Sequence, residues 1–254
     1  MDLIVLGAGT SIPLNYLASP ALALLINDRC TLFDLGPGTI RQLVRAGINH
    51  DKIDKIFITH FHPDHTADLI HLFFITRNPS VLKSRGPFSI FGPKDLETLI
   101  INLQNTYTPW LDIHSEILLV EELDDKIPDK IDLGDFYLRV KSVNHTPQSL
   151  AYRVESRTGN SLVYSGDTGP CEGIVEISKD CDLLVLECSF PEGQEVEGHL
   201  TPSLAGTIAS QAGVKKLMLV HFYPEVLSTD IVKECRKTYK GQLILGRDLL
   251  RISV

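Results

Sequence analysis

Hydrophobic residues in this chain fall into short runs punctuated by Gly, Pro, Asn and Asp. Leu3 to Leu6 reads as a strand stopping at Gly7, Ala8 and Gly9. Ala21 to Ile26 and Cys30 to Phe33, joined by Asn27, Asp28 and Arg29, read as a β-hairpin. Further strands are predicted at Ile56 to Ile58, Phe88 to Phe91, Glu116 to Glu121, Phe136 to Val143, Ser161 to Tyr164, Leu183 to Leu186 and Leu217 to Val220. Over Thr39 to Ala46, the spacing of Ile40, Leu43, Val44 and Ala46 by three and four predicts a helix with one buried face. Helices are also expected over Thr66 to Thr76, Lys94 to Gln104, Glu172 to Ser178, Ser203 to Gln211 and Thr229 to Thr238. Thr201 and Pro202 supply a cap and first-turn residue for the helix that begins near Ser203. This alternation predicts an α/β chain with helices covering sheets. It leaves open one doubly wound sheet or two stacked ones. No repeat, low-complexity tract or linker marks a second domain, so residues 1–254 are expected to form one.

Composition narrows the class. With 254 residues, 43% hydrophobic and 22% charged, the chain is expected to be a soluble globular protein with ample length for a large core. Lys and Arg number 24 against 32 Asp and Glu, and the resulting net charge of -8 repels nucleic acid at long range. The five cysteines, Cys30, Cys171, Cys181, Cys188 and Cys235, are odd in number and contain no CxxC pair. They read as buried free thiols of a reducing compartment rather than metal ligands. Asp2 follows Met1 directly, with no basic leader and no long apolar run. Neither a signal peptide nor a membrane span is therefore predicted, and the cytoplasm is the default location.

The chemistry concentrates in Ile58 to Asp68, ITHFHPDHTAD. A strand alternates its side chains with period two, so a strand ending at Thr59 points His60 and His62 to one side. A turn at Pro63 then brings in Asp64 and His65. Imidazole nitrogen and carboxylate oxygen at this density form a ligand set for zinc and similar cations. A polar loop of solvated histidines is the plain alternative, disfavoured because so many imidazoles lacking partners are costly to bury. Elsewhere, Asp34 at a strand end could orient a histidine ring or cap the following turn. His71 reads as a helix-face residue, and His50 and His114 as surface residues. The Gly7 to Gly9 loop lacks the third glycine of a dinucleotide fingerprint, Ile12 standing in its place, and reads as a turn passing close to the site. His145, Asp167, Glu187 and His221 each follow or end a predicted strand.

The HxHxDH pattern resembles that of the metallo-β-lactamase superfamily. The resemblance implies a four-layer αββα sandwich, two facing mixed sheets flanked by helices, with a dinuclear metal centre at one edge. It implies that His60, His62 and His145 hold one cation, that Asp64, His65 and His221 hold the other, and that Asp167 bridges them. The shared water would be acidified to hydroxide, the expected nucleophile. Within the superfamily the chain is similar to ribonuclease Z and related phosphodiesterases through FDLGPGTIRQL, IFITHFHPDH, YSGDTGP, DLLVLECSF and GHLTP. That likeness implies that Glu187 orients His199, which assists at the phosphate and protonates the leaving oxygen. Asp64, His199 and Glu187 are thus the expected catalytic residues. A loop histidine beside Glu192, Glu195 and Glu197, and a strand-end acid facing solvent, are the plainer readings of that pair.

The chain also departs from the group. Ribonuclease Z carries a long arm that grips transfer RNA, whereas the interval from His145 to Asp167 leaves room for little beyond a hairpin. After His221 the chain reads FYPEV, where the group places an arginine nearby. A phosphodiesterase acting on a small, cyclic or nucleotide-like ester is therefore the leading expectation, with extended nucleic acid and membrane disfavoured as partners. A ribonuclease Z-like endonuclease and a thioester or lactone hydrolase are alternatives. An iron redox enzyme would need a flavin domain for which no chain is left, and a non-enzymatic scaffold is disfavoured because no ligand is missing. Two divalent cations are expected, zinc first, with manganese and iron tolerated by the same ligands. A homodimer is compatible with the sequence.

Overall fold

The computed structural model describes residues 1–126 and 130–254. Strands β1 (Asp2–Gly7), β2 (Ala21–Ile26) and β3 (Arg29–Phe33) lead to helix α1 (Thr39–Arg45), then β4 (Ile53–Phe57). Helices α2 (Pro63–Thr66), α3 (Asp68–Thr76) and α4 (Pro79–Ser84) precede β5 (Phe88–Pro93), α5 (Leu96–Thr106) and β6 (Leu118–Leu123). The second half runs β7 (Ile131–Asp132), β8 (Phe136–Ser142), β9 (Leu150–Ser156), β10 (Ser161–Tyr164), α6 (Glu172–Ser178) and β11 (Leu183–Glu187). It continues through α7 (Pro202–Ala212), β12 (Lys216–Val220), α8 (Pro224–Leu227), α9 (Ile231–Cys235), β13 (Gln242–Leu245) and β14 (Arg251–Ser253).

These strands form two seven-stranded mixed sheets, ordered β14-β1-β2-β3-β4-β5-β6 and β13-β12-β11-β10-β9-β8-β7. In each sheet one part is antiparallel and the other parallel: β3 to β6 run parallel in the first, β10 to β13 in the second. Both faces of the first sheet are covered, which explains apolar runs rather than strict alternation. Leu3, Val5, Phe33 and Phe57 join the core shared with the second sheet, while Ile4, Leu6, Leu32 and Ile56 pack under α1, α3 and α5. This is the αββα sandwich. No helix among the described residues is long and apolar enough to cross a membrane.

Between the sheets, Phe57 stacks on Phe33 and Phe91 at ring-centroid distances of 5.4 and 5.0 Å, with Tyr152 of β9 5.3 Å away. The Tyr152 hydroxyl donates to the Ile58 carbonyl at 2.5 Å, joining the sheets just below the histidine motif. The β2–β3 hairpin turns through Asn27 and Asp28, both at positive φ, as a tight two-residue turn requires. At the other end of the molecule's connectivity, Asp248 accepts hydrogen bonds from Ala8 N, Ala18 N and Gln42 Nε2, fastening the loop after β1. Leu249 N and Val5 N close this junction by bonding Val5 O and Leu250 O.

Several local expectations change. The helix expected over Thr66 to Thr76 begins earlier, at Pro63, whose fixed φ suits the first helical position. It is interrupted at Ala67 because Asp68 N donates to Leu35 O instead of continuing the helical ladder. Gly36 allows that close approach, since a Cβ there would lie 2.1 Å from Asp64 O. Val44 is 66% exposed, so α1 buries Ile40, Gln42 and Leu43 instead, and Phe74 is also exposed. His50 is half-buried rather than a surface residue, while His71 and His114 are exposed. All five cysteines are free, with Cys171 half-buried and the others buried. The cap at Thr201 is present, its hydroxyl accepting from Leu204 N.

Tyr152→Phe removes one hydroxyl and leaves the buried Ile58 carbonyl without its partner. We expect a loss of about 1–3 kcal/mol in urea unfolding. A change within about 0.5 kcal/mol, the ordinary range of surface substitutions, would show that the contact does not tie the sheets together.

Candidate metal centre

The candidate residues come from the carboxyl ends of strands in both sheets. After β4 the chain passes through Thr59 and His60 to His62, which caps α2 and sets Asp64 and His65 on its first turn. His145 follows β8, Asp167 follows β10, Glu187 ends β11 and His221 follows β12. Gly166 sits at φ 58, and a Cβ there would lie 2.6 Å from the Thr59 Cβ, so glycine lets the β10 end close against the motif. The loop after β1 reaches the same edge: Phe222 N bonds Ala8 O, and the Ser11 and Tyr223 hydroxyls lie 3.4 Å apart.

The side chains converge in two groups. Donor atoms of His60, His62, His145 and Asp167 lie within 4.8 Å of one another, as do those of Asp64, His65 and His221. Asp167 faces both groups. Its Oδ1 is 3.3 Å from His65 Nε2 and 3.3 Å from His221 Nε2, and its Oδ2 is 3.9 Å from His60 Nε2 and 3.7 Å from His145 Nε2. Asp64 Oδ2 lies 3.9 Å from His65 Nε2 and 3.7 Å from His221 Nε2. His62 Nδ1 and His145 Nε2 face each other at 3.2 Å. Ligands placed tetrahedrally 2.0–2.1 Å from zinc sit roughly 3.3 Å apart. These separations therefore suit atoms that share a cation at least as well as hydrogen-bonded pairs.

The unpaired atoms support the same fit. His60 Nε2, His65 Nε2, His221 Nε2 and Asp167 Oδ1 are all buried without a hydrogen-bond partner. Such groups are costly to leave unsatisfied, and cations held by the two groups would satisfy them. Burial and neighbouring charges together set the ionisation of these groups. Burial opposes ionisation of Asp167, but the imidazoles of His221 and His65 outweigh it and hold the carboxyl well below its usual range. Burial likewise opposes charge on His65, yet Asp167 and Asp34 raise its pKa well above the ordinary histidine value. Burial, with His65 beside it, pushes His60 well down.

Four of the five rings are held by their other nitrogen. His65 Nδ1 meets Asp34 Oδ2 at 2.7 Å, His145 Nδ1 meets Gly198 O at 3.0 Å, His60 Nδ1 meets Thr59 Oγ1 at 3.0 Å, and His221 Nδ1 meets Ser189 Oγ at 2.9 Å. Such partners fix ring orientation and free Nε2 for a cation. Asp34 therefore orients a ring. It also accepts from Thr59 N, Thr59 Oγ1 and Tyr164 Oη, and it is completely buried.

Beside the two groups, His199 Nδ1 bonds Glu187 Oε1 at 2.8 Å. Glu187 is 1% exposed, against the solvent-facing alternative. The His199 ring lies 4.8 Å from that of His145 and 6.0 Å from that of His221. Phe190 and Tyr223, stacked at 4.7 Å, meet it edge-on at 5.5 and 6.3 Å. Burial opposes charge on His199, but the Glu187 hydrogen bond outweighs it and raises the pKa. Thr59, Ser189 and the Gly198 carbonyl are partners the sequence did not announce. Thr59 adjoins the motif, but the partner of Ser189 lies 32 positions away, beyond any local pattern.

Comparison with known proteins agrees with this fold. The family model described as Beta-lactamase superfamily domain matches residues 29–222. The chain is 27% identical to a Thermoplasma acidophilum protein named ribonuclease Z over 297 residues, covering 94% of each. That alignment is longer than the whole chain, so the relative carries stretches without a counterpart here. An uncharacterized protein of Mycobacterium tuberculosis is 30% identical over 229 residues, covering 88% of this chain and 82% of the relative. The metallo-beta-lactamase fold protein YhfI from Bacillus subtilis superposes with a TM-score of 0.84 at 21% identity, over 99% of this chain and 98% of that one.

After reconstitution with zinc or manganese, we expect elemental analysis to find two equivalents of cation per chain. Asp167→Ala is expected to lose at least one of them. An unchanged metal content in that variant would remove Asp167 from the centre.

Proposed function

The chain belongs to the beta-lactamase superfamily, and on that premise we propose that it is a single-domain, metal-dependent phosphodiesterase acting on a small, cyclic or nucleotide-like phosphodiester. In this reading His60, His62 and His145 hold one divalent cation, Asp64, His65 and His221 hold the second, and Asp167 serves both. Zinc suits the nitrogen-rich donor set, and manganese or iron(II) accepts the same ligands. When bound, such cations supply Lewis-acid polarisation of the phosphoryl oxygens and activation of the attacking water.

The observation that carries the phosphate assignment is the Glu187–His199 pair. The Nδ1 of His199 is committed to Glu187, and a His199 ring nitrogen lies within 4.8 Å of donor atoms of Asp167 and His221. The Glu187 hydrogen bond raises its pKa, which favours the protonated ring that an acid requires. A departing alkoxide of a phosphodiester needs such a proton, whereas a departing thiolate does not. Hence the pair favours phosphodiester over thioester hydrolysis. Glu187 is the positioning residue and His199 the acid. Phe190 and Tyr223 flank His199 and shield one side of it from water.

An RNA endonuclease activity is the second reading, supported by the relative named ribonuclease Z. Against it, the interval between His145 and Asp167 holds only β9, β10 and their connections, with no room for an RNA-gripping arm. The net charge of -8 also opposes approach of a polyanion. A small diester avoids both objections.

The test compares leaving groups. His199→Ala should keep its metal and lose about 10²–10⁴ in rate on an alkyl or ribose diester, while losing far less on bis-nitrophenyl phosphate, whose leaving group scarcely needs an acid. Equal losses on both substrates would make His199 a phosphate contact, and loss of metal would make it a ligand. Turnover of thioesters or lactones with diesters untouched would refute the phosphodiesterase reading altogether.

A further inference from the structure

Glu187 does more than face His199. Its Oε1 accepts from Thr168 N at 2.9 Å and from His199 Nδ1 at 2.8 Å, and its Oε2 accepts from Leu200 N at 3.1 Å and Ser189 Oγ at 2.6 Å. With backbone N–H groups on both oxygens, the carboxylate acts here as an acceptor. The single hydroxyl proton of Ser189 is then spoken for, since Oε2 is much nearer than the alternative acceptor, His221 O, at 3.3 Å. The contact of 2.9 Å between Ser189 Oγ and His221 Nδ1 can only run the other way, with the ring N–H donating. That fixes a proton of His221 on Nδ1, so that in the neutral ring, the form a cation binds, the lone pair is on Nε2, 3.3 Å from Asp167 Oδ1.

We propose that Ser189 is a positioning residue through which Glu187 sets the tautomer of His221, so that one carboxylate governs both the acid His199 and the cation site of Asp64, His65 and His221. The proposal rests on the reading of those three residues as cation ligands. The opposite sheet shows the same construction. Asp34 holds His65 directly, and it accepts the Thr59 hydroxyl at 2.9 Å, whose oxygen meets His60 Nδ1 at 3.0 Å. Ser189 and Glu187 are 0% and 1% exposed, so bulk water does not compete for the hydroxyl. His221 itself sits at φ 60, a sparsely populated conformation for a side-chain-bearing residue. Phe222 N bonding to Ala8 O helps hold it there.

The test uses the full-length, zinc-loaded protein. In chelator competition, Ser189→Ala is expected to weaken one of the two cations by about 10–100-fold and leave the other unchanged. Ser189→Thr, which restores a hydroxyl, should recover the affinity, and Ser189→Cys, with a weaker donor, should fall between. Exchange of the His221 Nδ1 proton, followed by NMR, should be slow in the unaltered protein and in Ser189→Thr and fast in Ser189→Ala. If Ser189→Ala, or Ser189→Cys should the alanine variant fail to fold, matches the unaltered protein in both measurements, the relay is overturned while the metal centre stands. If the unaltered protein never loads a second cation, the metal-centre reading fails, and the proton exchange rate alone decides the relay.

Discussion

An imidazole has two nitrogens, and a ring that presents one as a lone pair must have the other occupied. The candidate centre is organised by that requirement. Two buried carboxylates meet it, Asp34 at the end of β3 in one sheet and Glu187 at the end of β11 in the other. Each holds one histidine directly and a second through a hydroxyl. A buried carboxylate is itself expensive unless well hydrogen-bonded, which explains why Thr59 N and two hydroxyls meet Asp34 and why Thr168 N and Leu200 N meet Glu187. The two acids are thus fixed by the strand ends, and the rings are fixed by the acids. Asp167 sits between the two assemblies with one oxygen toward each group.

Much of this was legible in the residues. Most strands announced themselves as apolar runs, and the HxHxDH motif located the candidate site because four of its candidate ligands are local. What escaped depended on distant contacts. The break at Ala67 follows from Asp68 N turning to Leu35 O, a bond no helical periodicity encodes. Val44 obeys the spacing of a buried face, but it lies outside the arc of α1 that meets β1 and α3, and Gln42 takes the inward place by bonding Leu6 O. Phe74 is exposed and lines an apolar groove with Tyr107 and Trp110, which a core-counting argument reads as interior. β14 is only three residues long, and its existence depends on β1 lying beside it. Ser189 resembles any other serine until His221 is brought to it.

The balance of charge has a related logic. A chain with net charge -8 does not attract phosphate, and Asp34, Asp64 and Asp167, already counted in that total, gather part of the negative charge in the candidate centre. Bound cations would reverse the sign locally, where the field is least screened, and would leave the rest of the surface acidic. Selection among anions would then come from the shape of the site and from the ring wall of Phe190 and Tyr223 rather than from basic side chains.

The junction at Asp248 ties the beginning of the chain to its end. Asp248 anchors the loop after β1, which in turn bonds beside His221, and β14 completes the sheet at β1. Contacts of such long sequence separation form slowly, because the closure entropy of the whole intervening chain precedes any reward. During synthesis on the ribosome, every candidate ligand emerges before residue 248 does. The nascent chain would therefore display the full ligand set, able to capture cations, before the loop that closes against the site has anything to fasten it.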